Sequence, residues 1–259
     1  MPGATVGQEG RDTLALSRAF LLQARFATAD NLGNLYLITR QNAVEKYSPD
    51  GRLLTRYTNN RAGFATAIDA TNPMKVIVWY ADFRVVAFLD RNLTPLGELN
   101  LFQAGYPEVH IVAAAADGNL WLYDEVAFQL KKISPEGAVL AESQRLNALL
   151  PERLPIESLR DDGNSVYAFA PSAGLLSFDA YAQFRYRQPI EGAHTCLAAF
   201  ERAACLSADH LLLLDRLRLT ERRLPLPPAA ISQKAPAWLA QGRLLVQNGP
   251  QLQMWEWRD

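Results

Sequence analysis

With 259 residues, 49% of them apolar and 20% charged, the chain carries enough apolar matter for the core of one large all-β domain or two ordinary ones. Its 26 basic and 27 acidic residues leave a formal net charge of -1, and no run of Lys and Arg supplies the basic face that nucleic acid requires, so that partner class is excluded. No stretch approaches 18 consecutive apolar residues, which argues against a transmembrane helix, and the longest tempting run, His210–Asp215, is only strand length.

The first residues, MPGATVGQEGRDT, carry no apolar signal core, so residues 1–11 read as a disordered tail. Thr5 and Gly7 also fit the small-residue positions of an export cleavage before Gln8. Residues 12–259 then read as one repeating domain. Thr13–Ser17, inside DTLALSRAF, alternates like a strand. Beyond it, DNLGNLYLITRQNAVEKYSPDG (Asp30–Gly51) and DGNLWLYDEVAFQLKKISPEG (Asp117–Gly137) share one grammar. A Gly-bearing turn leads into an apolar strand, a polar turn follows, and a second strand ends in a Pro-bearing turn. Alternating apolar residues between such turns predict half-buried strands. In the first copy these are Phe26–Asp30, Leu35–Thr39, Val44–Ser48 and Leu53–Tyr57.

Leu35 and Leu120 lie two periods of about 42 residues apart, so a copy belongs between them, and Ile68–Leu93 supplies it. Further copies occupy Leu159–Ala182, Leu197–Arg218 and, cut short, Pro236–Asp259. A second marker fixes the register. Ser48, Asp90, Ser134, Asp179 and Asp215 each follow an apolar residue at the end of a second strand, at intervals of 42, 44, 45 and 36. Their side chains suit backbone amides of the tight turn they open. The fifth copy is rich in Ala and Leu and looks helical alone, but register assigns it to strands.

Four strands per period of 40 to 45 residues predict a blade, and six blades an all-β, six-bladed β-propeller with four-stranded antiparallel blades. The sixth copy ends after its third strand, and an open ring would expose raw sheet edges. Thr13–Ser17 is therefore expected beside Leu252–Trp257 as the missing outer strand. The phrases ADNLGNLYLIT, KYSPDG and ADGNLWLYD resemble six-bladed propellers of the NHL and TolB-like kind, from about residue 12 onward. Their wording is also similar to a group of exported bacterial propellers of unassigned role. That resemblance implies export to the periplasm or the periphery of the outer membrane, the alternative being the cytoplasm.

Catalytic signatures are sparse. His110, His194 and His210 form no metal-ligand pair by spacing, although His110 and His194 fall near connections that tend to face an axial channel. There is no G-x-S-x-G elbow and no phosphate-binding glycine loop. Asp117, Asp161 and Asp162 sit in DGN-type turns without calcium-loop spacing. Trp79 and Trp121 are assigned, with Tyr36 and Tyr167, to one repeated slot for packing between blades, and Trp255 and Trp257 share a face of the closing strand. A hairpin centred on Phe200-Glu201 would set Cys196 opposite Cys205, close enough for a disulfide if the chain is exported.

The connections between blades carry the remaining information: Thr58–Phe64, Leu101–His110, Leu146–Ser158 and Pro225–Pro236. With the turns at Asp82–Arg84 and Asp124–Glu125 they open on one end of a propeller. A partner is therefore expected at Arg61, Asp82, Phe83, Arg84, Tyr106, His110, Asp124, Glu125 and Arg153. No metal, cofactor or catalytic residue is assigned. The sequence points to a non-catalytic module that binds a protein or peptide, as an accessory subunit of a bacterial envelope assembly. The alternative is a lactonase- or lyase-like enzyme with a ligand or metal in the channel.

Overall fold

Turn chemistry sets the strand boundaries in the computed structural model, which describes residues 13–148, 150, 154–232 and 235–257. Asp30 shows how. Its carboxylate accepts the backbone N–H groups of Leu32 and Asn34 at 2.9 Å and the Tyr36 hydroxyl at 3.1 Å. Gly33 takes the positive φ of 84° that the turn requires. The marker residues behave alike: Ser48 accepts Arg52 N–H, Asp90 accepts Asn92 and Thr94, Ser134 accepts Glu136 and Ala138, and Asp179 accepts Tyr181 and Gln183. Asp215 accepts Arg218 N–H.

The chain opens with β1 (Ala15–Phe20) and then builds blade one from β2 (Phe26–Ala29), β3 (Leu35–Ile38), β4 (Ala43–Tyr47) and β5 (Leu53–Thr58). Blade two is β6 (Ala67–Asp69), β7 (Val76–Tyr80), β8 (Val85–Leu89) and β9 (Pro95–Asn100). Blade three is β10 (Val112–Ala114), β11 (Leu120–Asp124), β12 (Gln129–Ile133) and β13 (Val139–Glu142). Blade four is β14 (Ser158–Asp161), β15 (Ser165–Ala170), β16 (Gly174–Asp179) and β17 (Phe184–Gln188). Blade five is β18 (Ala193–Ala199), β19 (Arg202–Ser207), β20 (His210–Asp215) and β21 (Thr220–Pro225). Blade six takes β22 (Ala237–Ala240), β23 (Arg243–Asn248) and β24 (Gln251–Glu256), and β1 completes it in the order β1-β24-β23-β22. The chain is thus a six-bladed propeller of four-stranded antiparallel sheets. Its described helices are short pieces within connections, a 3-10 turn at Leu146–Ala148 and α1 (Pro228–Ser232).

Closure occurs as expected, but the ladder starts two residues later than Thr13. Ala15 faces Glu256 and Phe20 faces Leu252, with a bulge between Leu16 and Arg18. Leu14 packs with Trp255 and Trp257 against the seam of blades five and six, so the pairing begins beyond it. The tail read at residues 1–11 lies outside the described residues.

Neighbouring blades bury each other's faces. Leu35 and Leu37 face blade six while Tyr36 and Ile38 face blade two, which explains apolar residues on both sides of one strand. The side facing the next blade carries Tyr36, Ile77, Trp121, Tyr167, Ala204 and Leu245 at the equivalent position. Trp79 is not in that slot. Val76 pairs with Leu89, so Ile77 takes the slot opposite Phe88 and Trp79, opposite Val86, sits two pairs further on. It still fills the seam of blades two and three.

Blade five is strand throughout, so pairing between strands overrides the helical preference of its alanines and leucines. Its hairpin turns at Phe200-Glu201, both at positive φ. Cys196 therefore faces Cys205, and the two form a disulfide with Cα atoms 4.0 Å apart.

Candidate functional site

Successive antiparallel strands reverse direction, so two kinds of link gather at one end of the ring: the turns joining second to third strands, and the connections from outermost strand to the next innermost one. The expected partner residues all fall there except Arg153, which lies outside the described residues. They form separate groups.

The first group spans the blade one–two connection. Gly63, at φ 84°, lies against the Phe83 ring so closely that a Cβ would come within 2.7 Å of it, with Asp82 beside them. Phe64 and Phe83 are both exposed, at 60% and 59%. The Arg25 guanidinium lies 5.3 Å from the Phe64 ring centroid and donates to Thr39 O, Asn42 Oδ1 and Ala65 O. Asn42 in turn donates to Gly63 O and accepts Ala65 N–H, tying both links together. Arg61 is exposed two residues away. Arg25, Asn42 and Phe64 were not singled out from sequence. Phe64 stands inside the quoted connection, but nothing local revealed that Arg25, 39 residues earlier, would reach its ring.

The second group lies between blades two and three. His110 Nε2 is 3.7 Å from Glu125 Oε1 and 3.9 Å from Glu108 Oε2, an exposed ion-pair arrangement when the imidazole is protonated. Two expected partner residues belong to the interior instead. Tyr106 is buried and donates its hydroxyl to Gly137 O at 3.1 Å, because the third blade's outer turn folds over it. Asp124 is buried as well. It accepts Val126 and Ala127 N–H and pairs with Lys131 Nζ at 2.7 Å, so it caps its own turn. Arg84 is half-buried at φ 52°, and its carbonyl accepts Leu101 N–H.

On the axis, the six innermost strands enclose a channel with a cavity of about 320 Å³. Phe26, Trp79 and Trp238 supply its aromatic surface, and Thr28, Ser158 and Thr195 its hydroxyls. Asp69 and Arg160 are its charged groups from the strands, and His110 and Glu157 stand where connections enter. His194 is on innermost strand β18 but is not part of that lining. The Asp69 carboxylate already accepts Thr71 and Ala114 N–H, the latter across the blade boundary. Burial works against the charge of Arg160, whereas Asp69, Asp162 and Asp161 support it. Among the described residues, no three His, Cys, Asp or Glu side chains converge as a metal-ligand set.

The turn aspartates serve the fold. Asp161 accepts Trp121 Nε1–H at 2.8 Å and Ala116 N–H at 3.1 Å from blade three, and Gly163 N–H at 2.6 Å from its own turn. Asp117 pairs with Lys132 Nζ at 2.5 Å. Burial raises the Asp117 pKa, but hydrogen bonds from Lys132 and Asn119 outweigh it and hold the group below its ordinary value.

Among solved structures, the fold is similar to a streptogramin B lyase, with a TM-score of 0.60 and 13% identity over 90% of this chain and 78% of that one. A catalytically inactive virginiamycin B lyase from Staphylococcus aureus with quinupristin matches at 0.60 and 12%, over 90% and 80%. A chain of a mitotic checkpoint complex matches at 0.61 and 9%, over 100% and 97%. At such identities the likeness shows the propeller fold alone. No protein-family model and no curated protein matches the sequence.

Proposed function

We propose that the chain is a non-catalytic propeller that binds a protein or peptide partner, as an accessory subunit of a bacterial envelope assembly. The observation that carries this reading is the Phe64–Phe83 patch. Two large exposed rings, braced by Gly63 and Arg25 and flanked by Arg61 and Asp82, form an apolar centre with a charged rim. That is the composition of an interface hot spot. His110 and Glu125 extend the same end of the ring toward blade three. The Cys196–Cys205 disulfide supports an exported location, since such bonds persist in oxidising compartments.

The test is site-specific photo-crosslinking in envelope extracts. A photoreactive side chain replaces Phe83 in one variant and Leu217, at the opposite end of the ring, in another. A defined adduct from position 83 alone, lost when Phe64→Ser is added, supports the proposal. Equal adducts from both positions overturn it. So does one bound metal equivalent that disappears in a His110→Ala variant.

A further inference from the structure

Blade five departs from the others in the turn that joins its third and outer strands. The positive-φ position of that turn is Gly51 in blade one and Gly137 in blade three, which carry no side chain. In blades two and four it is Leu93 and Ala182, both buried. In blade five it is Leu219, at φ 54° and 90% exposed. A left-handed backbone is costly for a leucine, and a leucine in water recovers none of that cost by packing. The turn between the first and second strands repeats the pattern. Phe200 takes φ 51° and is 65% exposed, where blades three and four use Gly118 and Gly163.

The two turns of blade five touch, since Arg216 N–H donates to Glu201 O at 2.9 Å. Leu217 stands on the same turn as Leu219 and is 77% exposed. Phe200, Leu217 and Leu219 therefore form one apolar corner of the ring. None of the three lines the cavities on either side of the blade. Convex tips offer a folded partner no pocket for an anchor, whereas the interfacial layer of a bilayer accepts separate apolar side chains. Asp215–Arg223 carries four arginines against two carboxylates, so a phosphate-bearing surface does not repel it. Those arginines are already engaged: Arg216 with Glu201 and the Tyr186 ring, Arg218 with Asp215, Arg223 with Glu221, and Arg222 as well. Contact is thus carried by the apolar tips and not by charge.

We propose that this corner of blade five docks on a phospholipid bilayer, with Phe200, Leu217 and Leu219 inserted into its interfacial layer. It stands at the end of the ring opposite the Phe64–Phe83 patch, so a docked bilayer leaves that patch open to its own partner.

The probe is flotation of the full chain with vesicles of phosphatidylcholine alone. Wild type is expected to float, and raised salt to leave it bound, because burial of apolar side chains is not screened. Leu219→Gly suits the left-handed turn and is expected to melt no lower than wild type while partitioning about tenfold more weakly, the loss of one leucine's burial. Should it fold poorly, Leu219→Asn replaces it, since Asn also tolerates that conformation. Leu217→Ser and Phe200→Ser are expected to weaken flotation by a similar factor. Leu21→Ser, at an exposed leucine of the opposite end, is expected to change nothing. No flotation by wild type overturns the proposal, as does unchanged flotation by a folded Leu219→Gly. Binding confined to vesicles with added phosphatidylglycerol and lost in salt refutes apolar insertion. A defined protein adduct from a photoreactive side chain at position 217 refutes lipid as the occupant, whereas failure to capture a partner at position 83 leaves flotation unaffected.

Discussion

Replacing Asp161 with Ala isolates the bond network that holds blade four to blade three. The substitution strands three donors: the Trp121 indole N–H and the backbone N–H groups of Ala116 and Gly163. Ala116 and Gly163 are exposed and can recover water, but the fully buried Trp121 cannot. An unsatisfied buried donor costs about 1–3 kcal/mol, and each rehydrated bond about 0.5–1.5 kcal/mol. The sum is about 3 kcal/mol after allowance for non-additivity, or about 6–12 °C in melting temperature for a chain of this size. Asp161→Asn keeps one acceptor oxygen and is expected to lose about 1 kcal/mol. In a Trp121→Phe background, Asp161→Ala should cost about 1–2 kcal/mol less, because the buried donor is gone. Calorimetry or chemical denaturation of the four variants measures these differences. A melting point for Asp161→Ala within 2 °C of wild type, or no coupling with Trp121→Phe, would refute the assignment of Asp161 to the fold.

Three further outcomes follow from other parts of the ring. Reducing the Cys196–Cys205 bond, which closes a separation of 9 residues, should lower stability by about 2–3 kcal/mol, and a Cys196→Ala/Cys205→Ala variant should melt identically with and without reductant. Asp90 is held below its ordinary pKa chiefly by the Thr94 N–H, so its contribution is present above about pH 4 and lost as pH falls through its folded value. The melting advantage of wild type over Asp90→Asn should therefore shrink between pH 5 and 3 (about the Asp range) and stay flat above it. Gly174→Ala should cost more than about 3 kcal/mol, because its Cβ would lie 2.2 Å from Gln188 O, whereas Gly105→Ala meets nothing within 4 Å and should lose only about 1–2 kcal/mol from its positive φ. Urea denaturation separates the pair.

What could be read from the sequence was whatever is local. Gly33, Gly51, Gly118 and Gly137 take positive φ in turns whose composition announced them, and five marker residues fixed the register. The Cys196–Cys205 pairing followed from a hairpin two residues wide. What depends on contacts between blades was less visible. Tyr106 and Asp124 sit in links with surface-like composition, yet the Gly137 turn and Lys131 close over them. Trp79 looks like the slot residue until Val76 is paired with Leu89, which puts Ile77 in the slot and Trp79 two pairs beyond it. Ala204 as the slot residue of blade five was in principle legible, since the repeat gives the slot. Noticing a small side chain there needed the correct register in all six blades. Arg25 reaching Phe64 is a tertiary contact that no spacing encodes.

Amide hydrogen exchange at β1 tests most directly whether the chain's own first strand closes the six-bladed ring. As an outer strand paired only with β24, β1 should show alternation: amides of Ala15–Phe20 that bond β24 exchange slowly, and those facing outward exchange quickly. Uniformly fast exchange across Ala15–Phe20, with β24 equally unprotected, would contradict the closed ring.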